Sequence, residues 1–388
     1  MRRRIEGIAA AILILLMAGC IDQVPLRSTD YRENIVIEGF LSSENGIQRV
    51  SVSRTSMLNE KKFVPETGAT VWIENSSGLK VSFPENQPGR YETIASGVVG
   101  QSYTLHVILK DARSYVSDAV VLRPTPPIRQ LNAQYKPQQS TTSAGIYFTV
   151  DASDSSNQTR FYRWDFESTY EIRTPFPSAF EWLGGNDVQA RAVPISQCWA
   201  RDTLRNIVIA SSSGLSNDQV VDIPLHFIPA ESYAMRVKYS MLVKQYSMTQ
   251  DGYNYWKLLR QINQTQGSLF DIQPGTVIGN IHNANDSKEA ALGYFDASVV
   301  RYTRKFYGPE NFNAQGYKSP GYLTSCVNLI PYEVPANQIG DFMAKTGTRN
   351  NLVISEAMGS YEATLVLRPR YCCDCTNLGT NVKPTYWQ

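Results

Sequence analysis

From residue 35 onward, apolar and polar side chains alternate in short runs. IVIEGFLSS (35–43), QRVSVSRT (48–55), TVWIEN (70–75), KVSFPE (80–85), GRYETI (89–94), QSYTLHVILK (101–110) and SYVSDAVVL (114–122) each send every second residue to one face. A period of two is that of a half-buried β-strand. Seven such runs, separated by Asn-Gly, Ser-Gly, Pro-Gly and Gly-Gln pairs, predict an antiparallel, immunoglobulin-like β-sandwich over 34–123. Asn45-Gly46 reads as a two-residue hairpin turn of type I′, which needs positive φ at both positions. The stretch 124–127, inside Arg123-Pro124-Thr125-Pro126-Pro127, reads as a stiff linker.

A second, larger β-rich domain is expected over 128–388. GIYFTVDAS (145–153), FYRWDFESTYEIR (161–173), RNIVIASSS (205–213), VVDIPLHFI (220–228) and YAMRVKYSMLVKQ (233–245) alternate in the same way, as do GTVIGNIH (275–282) and the long run ALGYFDASVVRYTRKFY (291–307). The period breaks at 252–266, where Tyr255, Leu258, Leu259 and Ile262 stand at i, i+3, i+4 and i+7 and predict an amphipathic helix ended by Gly267. A second helix is expected at 336–347. The fold class is therefore mainly β, with one or two helices.

The first 33 residues break this pattern. Arg2, Arg3 and Arg4 precede a short apolar run from Ile8 to Met17, then Ala18, Gly19 and Cys20. The run is too short to span a hydrocarbon core of about 30 Å, and it reads as a signal peptide over 1–19. The order of small residues before Cys20 is similar to a bacterial lipobox, with Met17 where Leu is usual, so Cys20 is the expected lipidation site. Residues 20–33 become a lipidated tether. Two or more acyl chains hold a protein on a bilayer almost permanently. The sequence leaves open which face of the membrane the protein occupies.

The whole chain carries 37 Lys and Arg against 35 Asp and Glu, and loses three Arg and one Glu with residues 1–19. A balanced charge gives no long-range pull on a polyanion, so no nucleic-acid partner is expected. Export places Cys198, Cys326, Cys372, Cys373 and Cys375 in an oxidising compartment, where disulfides are favoured over free thiols. The spacing offers no paired C-x2-C sites and no nearby His, which disfavours zinc. An odd number leaves one cysteine unpaired within the chain.

Several strings go beyond generic β-patterning. GRYET followed by GQSYTLHV is similar to immunoglobulin-like and transthyretin-like modules of surface proteins. TRFYRWDFESTYEI, SSSGLSNDQV, GSLFDIQPGTVIGNIHNAND, ALGYFDASVV and a C-x-D-C cluster ending in K-P-x-x-W together resemble the DUF4249 family of Bacteroidota lipoproteins, over nearly all of 35–387. The most specific residues are Gly267-Ser268-Leu269-Phe270-Asp271, Pro274, Gly279-Asn280-Ile281 and Gly293-Tyr294-Phe295. The resemblance implies an outer-membrane lipoprotein beside a TonB-dependent transporter. It also implies that Cys372 and Cys375 are the paired cysteines of the cluster, with Cys198 and Cys326 as partners in an order left open. Cys373, at the variable position, would be the free thiol.

Catalytic patterns are weak. His106, His226 and His282 lie in strand-like or loop-like surroundings without a partnered nucleophile, and no G-x-S-x-G or H-E-x-x-H occurs. Asp165, Glu167 and Glu171 share one strand face with Arg163 and Arg173, which suits local ion pairing better than an ion site or a glycosidase pair. DASDSSNQ (151–158) lacks the order of a calcium loop, and SSSGLS (211–216) has no lysine for a phosphate loop. Trp182, Tyr253 and Trp256 are the candidate ligand or partner contacts, because Tyr and Trp dominate binding hot spots. The expectation is a non-enzymatic, cofactor-free, membrane-anchored binding or assembly partner of a transporter. The alternatives are capture of a glycan or peptide, or an adhesive structural role. An aromatic-lined groove would mark capture; a flat Tyr-rich patch without a pocket would mark assembly.

Overall fold

The computed structural model describes residues 33–56, 63–202, 206–264, 277–322, 324–358 and 364–388. Cys20 and the segment from Gly267 to Pro274 lie outside them. Within them the chain is dominated by antiparallel strands, and the alternating runs fold as strands. Gly145–Ser153 and Phe161–Arg173 occupy the same bounds that their alternation predicts.

The N-terminal module is one sheet rolled around a core of Ile35, Ile37, Val50, Val52, Leu105, Val107, Tyr91 and Tyr115. Ser102–Ile108 shows the expected alternation, with Tyr103, Leu105 and Val107 inside. The segment 34–123 does not complete this sheet alone. Ile278–Asn283, Ala290–Leu292 and Phe295–Ala297, from far along the chain, fill the gap between Ser114–Ser117 and Ile35–Leu41. Ile281, Ala291, Phe295 and Ala297 are part of the same core. A boundary after Arg123 therefore divides the chain but not the fold.

The insertion rests on two glycines. Ile35–Leu41 pairs in parallel with Ala290–Leu292 and again with Phe295–Ala297, and Gly293-Tyr294 bulges between the two stretches. Gly293 has φ +100°, and a Cβ there would stand 1.9 Å from the Ile37 carbonyl oxygen. A Cβ at Gly279 would stand 1.6 Å from the Gly293 oxygen. Between them the Asn280 amide donates to the Phe295 oxygen and accepts from the Phe295 nitrogen, both at 2.9 Å. Two residues of glycine and one buried amide thus seat the crossing segment. The run 291–307, read as one strand, is three: it breaks at Gly293-Tyr294 and again at Ser298-Val299.

The hairpin after Leu41 also differs from expectation. Neither Asn45 nor Gly46 has positive φ. A wider loop forms because the buried Gln48 side chain accepts from Ser42 N and donates to the carbonyls of Glu44, Gly46 and Ala95. A side-chain amide replaces the backbone bond of a tight turn.

The second module is a sandwich. Ile128–Lys136, Gly145–Ser153 and Gln219–Pro229 form one layer; Gln197–Asp202, Val208–Ser211, Phe161–Arg173, Tyr239–Ser247 and Val300–Tyr307 form the other. Trp164, Tyr162, Phe148, Tyr239 and Met241 fill the space between. The run 233–245 starts its strand late, since Tyr233–Met235 is a short 3-10 turn. The proline linker is not free: Thr125 is 1% exposed. It is bound by Ser247, while Gln245 and Arg301 donate to the carbonyls of Pro126 and Thr125.

A third unit packs the Phe180–Gly184/Asp187–Ala190 hairpin against Tyr332–Pro335, Thr364–Pro369 and Leu352–Met358. The helical stretch predicted at 336–347 is present, passing from 3-10 through α to a π turn. Cys198 is bonded to Cys375 and Cys326 to Cys372, and Cys373 remains a buried thiol. The first bond closes a separation of 177 residues. In the chain-entropy account, loops of such length give disulfides worth several kcal/mol, on the order of 4. The tail folds back beyond it: Trp387 packs on Trp199 and Phe306, and its indole N–H donates to Glu171.

Gly293→Ala is expected to lower stability by about 3 kcal/mol or more, combining positive-φ strain with a backbone clash. Gly316→Ala, at φ +86° with open space around it, should cost only about 1 kcal/mol. Urea unfolding of both variants checks this; equal costs would contradict the seating argument.

Candidate functional site

The crossing segment and the second module enclose a cleft of about 430 Å³. Its floor is the outer face of the rolled sheet. Ile37 and Phe295 point into the core, so their neighbours Glu38, Phe40, Tyr294 and Asp296 point out, joined by Arg49 and Ser51. Its wall comes from the second module: Arg163 and Asp165 on Phe161–Arg173, and Tyr246 directly opposite Arg163 on Tyr239–Ser247. The roof is the Gln250–Gln264 helix, which supplies Tyr255 and Trp256.

The helix is held over the floor by its first turn. Thr249 Oγ1 accepts from Gly252 N at 2.9 Å and stands 3.3 Å from the Tyr294 hydroxyl. A side chain at Gly252 would meet that hydroxyl. Tyr255 stacks on Tyr294 with centroids 5.0 Å apart, and Phe40 meets Tyr246 edge-on at 5.2 Å. Of the helix's expected apolar stripe, Tyr255 is buried against Tyr294, while Leu258, Leu259 and Ile262 are half-buried.

Arg163 is the centre of the arrangement. Its guanidinium lies 4.3 Å from the Tyr246 ring centroid and 4.4 Å from that of Trp256. Such cation–π contacts are worth about 0.5–2 kcal/mol each. Its hydrogen bonding is thin: a guanidinium carries five N–H donors, and among the described residues it makes one side-chain contact, 3.5 Å to Asp165. Asp165 is half-exposed toward the cleft. Arg49 is paired with Glu92 across the sheet.

Burial sets the protonation states. It pushes the Tyr255 and Tyr294 phenols up to about 12 and the Tyr246 phenol higher still, so all three stay neutral. Burial also raises Asp296 above the ordinary aspartate value, against the pull of Arg123 at 3.2 Å. Among the described residues, the lining includes no His, Cys or Lys. What the cleft offers is stacking surface, a guanidinium with open donors, and carboxylate acceptors.

The contact candidates part company here. Trp256 lines the cleft. Tyr253, one turn-face away, packs on Phe161 at 5.2 Å. Trp182 packs, half-buried, against the core of the third unit and donates to the Gly185 carbonyl. Sequence reasoning did not mark Tyr246, Phe40 or Asp296 as contacts, and treated Arg163 as a local ion-pair partner. The signal for Tyr294 was its place in the family-like Gly293-Tyr294-Phe295.

Other sequence candidates resolve locally. Glu167 pairs with Lys244, and Glu171 is buried under the tail, accepting from Arg173 and Gln197. His106 stacks on Trp72, His226 sits 3.4 Å from Asp202, and exposed His282 sits 2.8 Å from Asp118. Burial lowers the first two below the usual histidine value. In 211–216, Ser212 donates to the buried Asp218. Among the described residues no three His, Cys, Asp or Glu side chains are grouped to hold a metal ion. A wider depression of about 1100 Å³ runs along Asn132–Gln134, Tyr147–Thr149 and Asp222–Phe227, but its Asn206–Ile209 wall adjoins residues outside the described set.

The 151–158 loop is closed by its own Asp154, which accepts from Ser156 N, Ser156 Oγ and Thr159 N at 2.6–2.9 Å. Burial would raise its pKa, but these bonds outweigh it and hold the carboxyl at about 2. A depressed carboxyl stabilises the fold above its unfolded value, near 3.9, and that contribution is lost as pH falls toward about 2. Asp154→Asn is expected to flatten the stability–pH curve in that window, read as urea midpoints; an unchanged slope would contradict the assignment.

The family model described as "Domain of unknown function (DUF4249)" matches residues 21–304. The chain belongs to this family. The match ends before the cysteine cluster and the K-P-x-x-W ending, so those strings, read as family-like in sequence, fall outside it. No curated protein matches the chain. Among solved structures, a two-domain fibronectin type III segment of chicken tenascin aligns at 12% identity over 56% of this chain and 92% of that one, with a TM-score of 0.15. A putative membrane anchored protein from Corynebacterium diphtheriae aligns at 12% identity over 57% and 56%, with a TM-score of 0.16.

Proposed function

We propose that this DUF4249 protein is a lipoprotein of the outer membrane, anchored through Cys20, that captures a small polar ligand in the cleft without chemically altering it. It would hold that ligand beside a TonB-dependent transporter. The anchor supports this as a matter of concentration: confinement to the bilayer brings a weak partner into repeated contact without a large interface. The transporter pairing follows from the family resemblance.

The observation that carries capture over simple assembly is Arg163. A guanidinium held against two aromatic rings in the lining of a cleft, with one side-chain hydrogen bond among the described residues, is a preformed recognition element. Ligand sites favour concave, aromatic-lined junctions between structural units with few converging polar groups. The cleft has that composition and position.

Cys20→Ser is expected to shift the protein from the outer-membrane fraction to the soluble periplasmic fraction. The native form, gently solubilised, should co-purify with a TonB-dependent receptor in near-stoichiometric amount by mass spectrometry. Retention of the variant in the membrane would sink the anchor. Recovery without a receptor would sink the transporter pairing while leaving capture to be judged by ligand binding.

A further inference from the structure

The geometry points to the chemical class of the ligand: a neutral, hydroxyl-bearing ring of the saccharide type, presenting adjacent hydroxyls to the Arg163–Asp165 pair. This inference rests on the capture reading above.

Charge argues first. An anion bound to Arg163 would sit beside the half-exposed Asp165 carboxylate. A cation drawn to Asp165 would meet the Arg163 guanidinium in the same space. Both signs are presented side by side, so either kind of charged ligand is repelled by part of its own site. A pair of neighbouring hydroxyls satisfies both. One hydroxyl oxygen accepts from the open guanidinium donors; the other hydroxyl donates to the half-exposed Asp165 carboxylate. Each is a charge-assisted bond, stronger than one between neutral groups.

Shape argues second. Tyr255 and Trp256 stand at 83° to each other, 5.6 Å between centroids. Tyr255 is buried against Tyr294, and the half-buried Trp256 is the apolar surface against which the C–H face of a saturated ring packs, while its equatorial hydroxyls reach the polar wall. Ser51 adds a hydroxyl on the floor. The volume of about 430 Å³ lies in the lower part of the usual range for ligand pockets and suits roughly one or two such rings. The Arg163 side chain already lies against two rings, so less of its freedom is left to lose on binding.

The test is isothermal titration of the full-length lipoprotein in detergent. The probes are a panel of neutral disaccharides, the matching uronic acids, the matching amino sugars and a tetrapeptide mixture. A neutral disaccharide is expected to bind, with Trp256→Ala, Arg163→Lys and half-exposed Asp165→Asn each weakening it by about tenfold or more. Thermal midpoints identify any variant that fails to fold, and Asp165→Asn is the variant least exposed to that failure. Binding of a uronic acid or peptide, lost in Trp256→Ala but tightened by Asp165→Asn, would overturn the neutral class and leave capture standing. Binding of amino sugars alone, abolished by Asp165→Asn, would do the same in the opposite sense. Binding of no probe, or binding that Trp256→Ala leaves unchanged, would overturn both the class and the cleft as the site.

Discussion

The parallel pairing of Ile35–Leu41 with the crossing segment Ala290–Ala297 is the constraint on which the molecule depends. The first module cannot close its sheet without strands that the chain reaches only after building most of the second. Gly279, Gly293 and the Asn280 amide let those strands approach at backbone distance. The same insertion turns Tyr294 and Asp296 outward and so makes half of the cleft. Fusion of the modules and construction of the site are one event.

The docked linker reinforces this. Thr125 is enclosed, and Gln245, Ser247 and Arg301 take up its own and its neighbours' carbonyls and its hydroxyl. Two connections, one through the linker and one through the crossing strands, hold the modules together. A cleft between units tied in this way keeps its shape without ligand. Preorganisation of that kind raises affinity by reducing what binding must order.

Much of the strand pattern was legible because a period of two is written in single residues. Tyr103, Leu105 and Val107 face inward as their alternation requires. Alternation tells which face is buried and nothing about which strand lies beside it. The pairing of Ile281 with Ser117 could not be read, since nothing in either run names the other. Asn45-Gly46 misled because the side chain of nearby Gln48 took over the turn's hydrogen bonds. The cysteine pairs became specific only in space. The charged face of 161–173 was read correctly up to Glu167. Beyond it the tail covers Glu171, and a tail's docking place leaves no periodic trace. Arg163 looked like one charge among several until the fold set Tyr246 and Trp256 against it.

Hydrogen exchange of the intact protein, followed by mass spectrometry, tests this fusion most directly. The account predicts that amides of Ile35–Leu41 and Ile278–Asn283 are protected to the same degree and lose protection together as urea is added. Early release of Ile278–Asn283, with Ile35–Leu41 still protected, would show a first module that stands alone and would contradict the account.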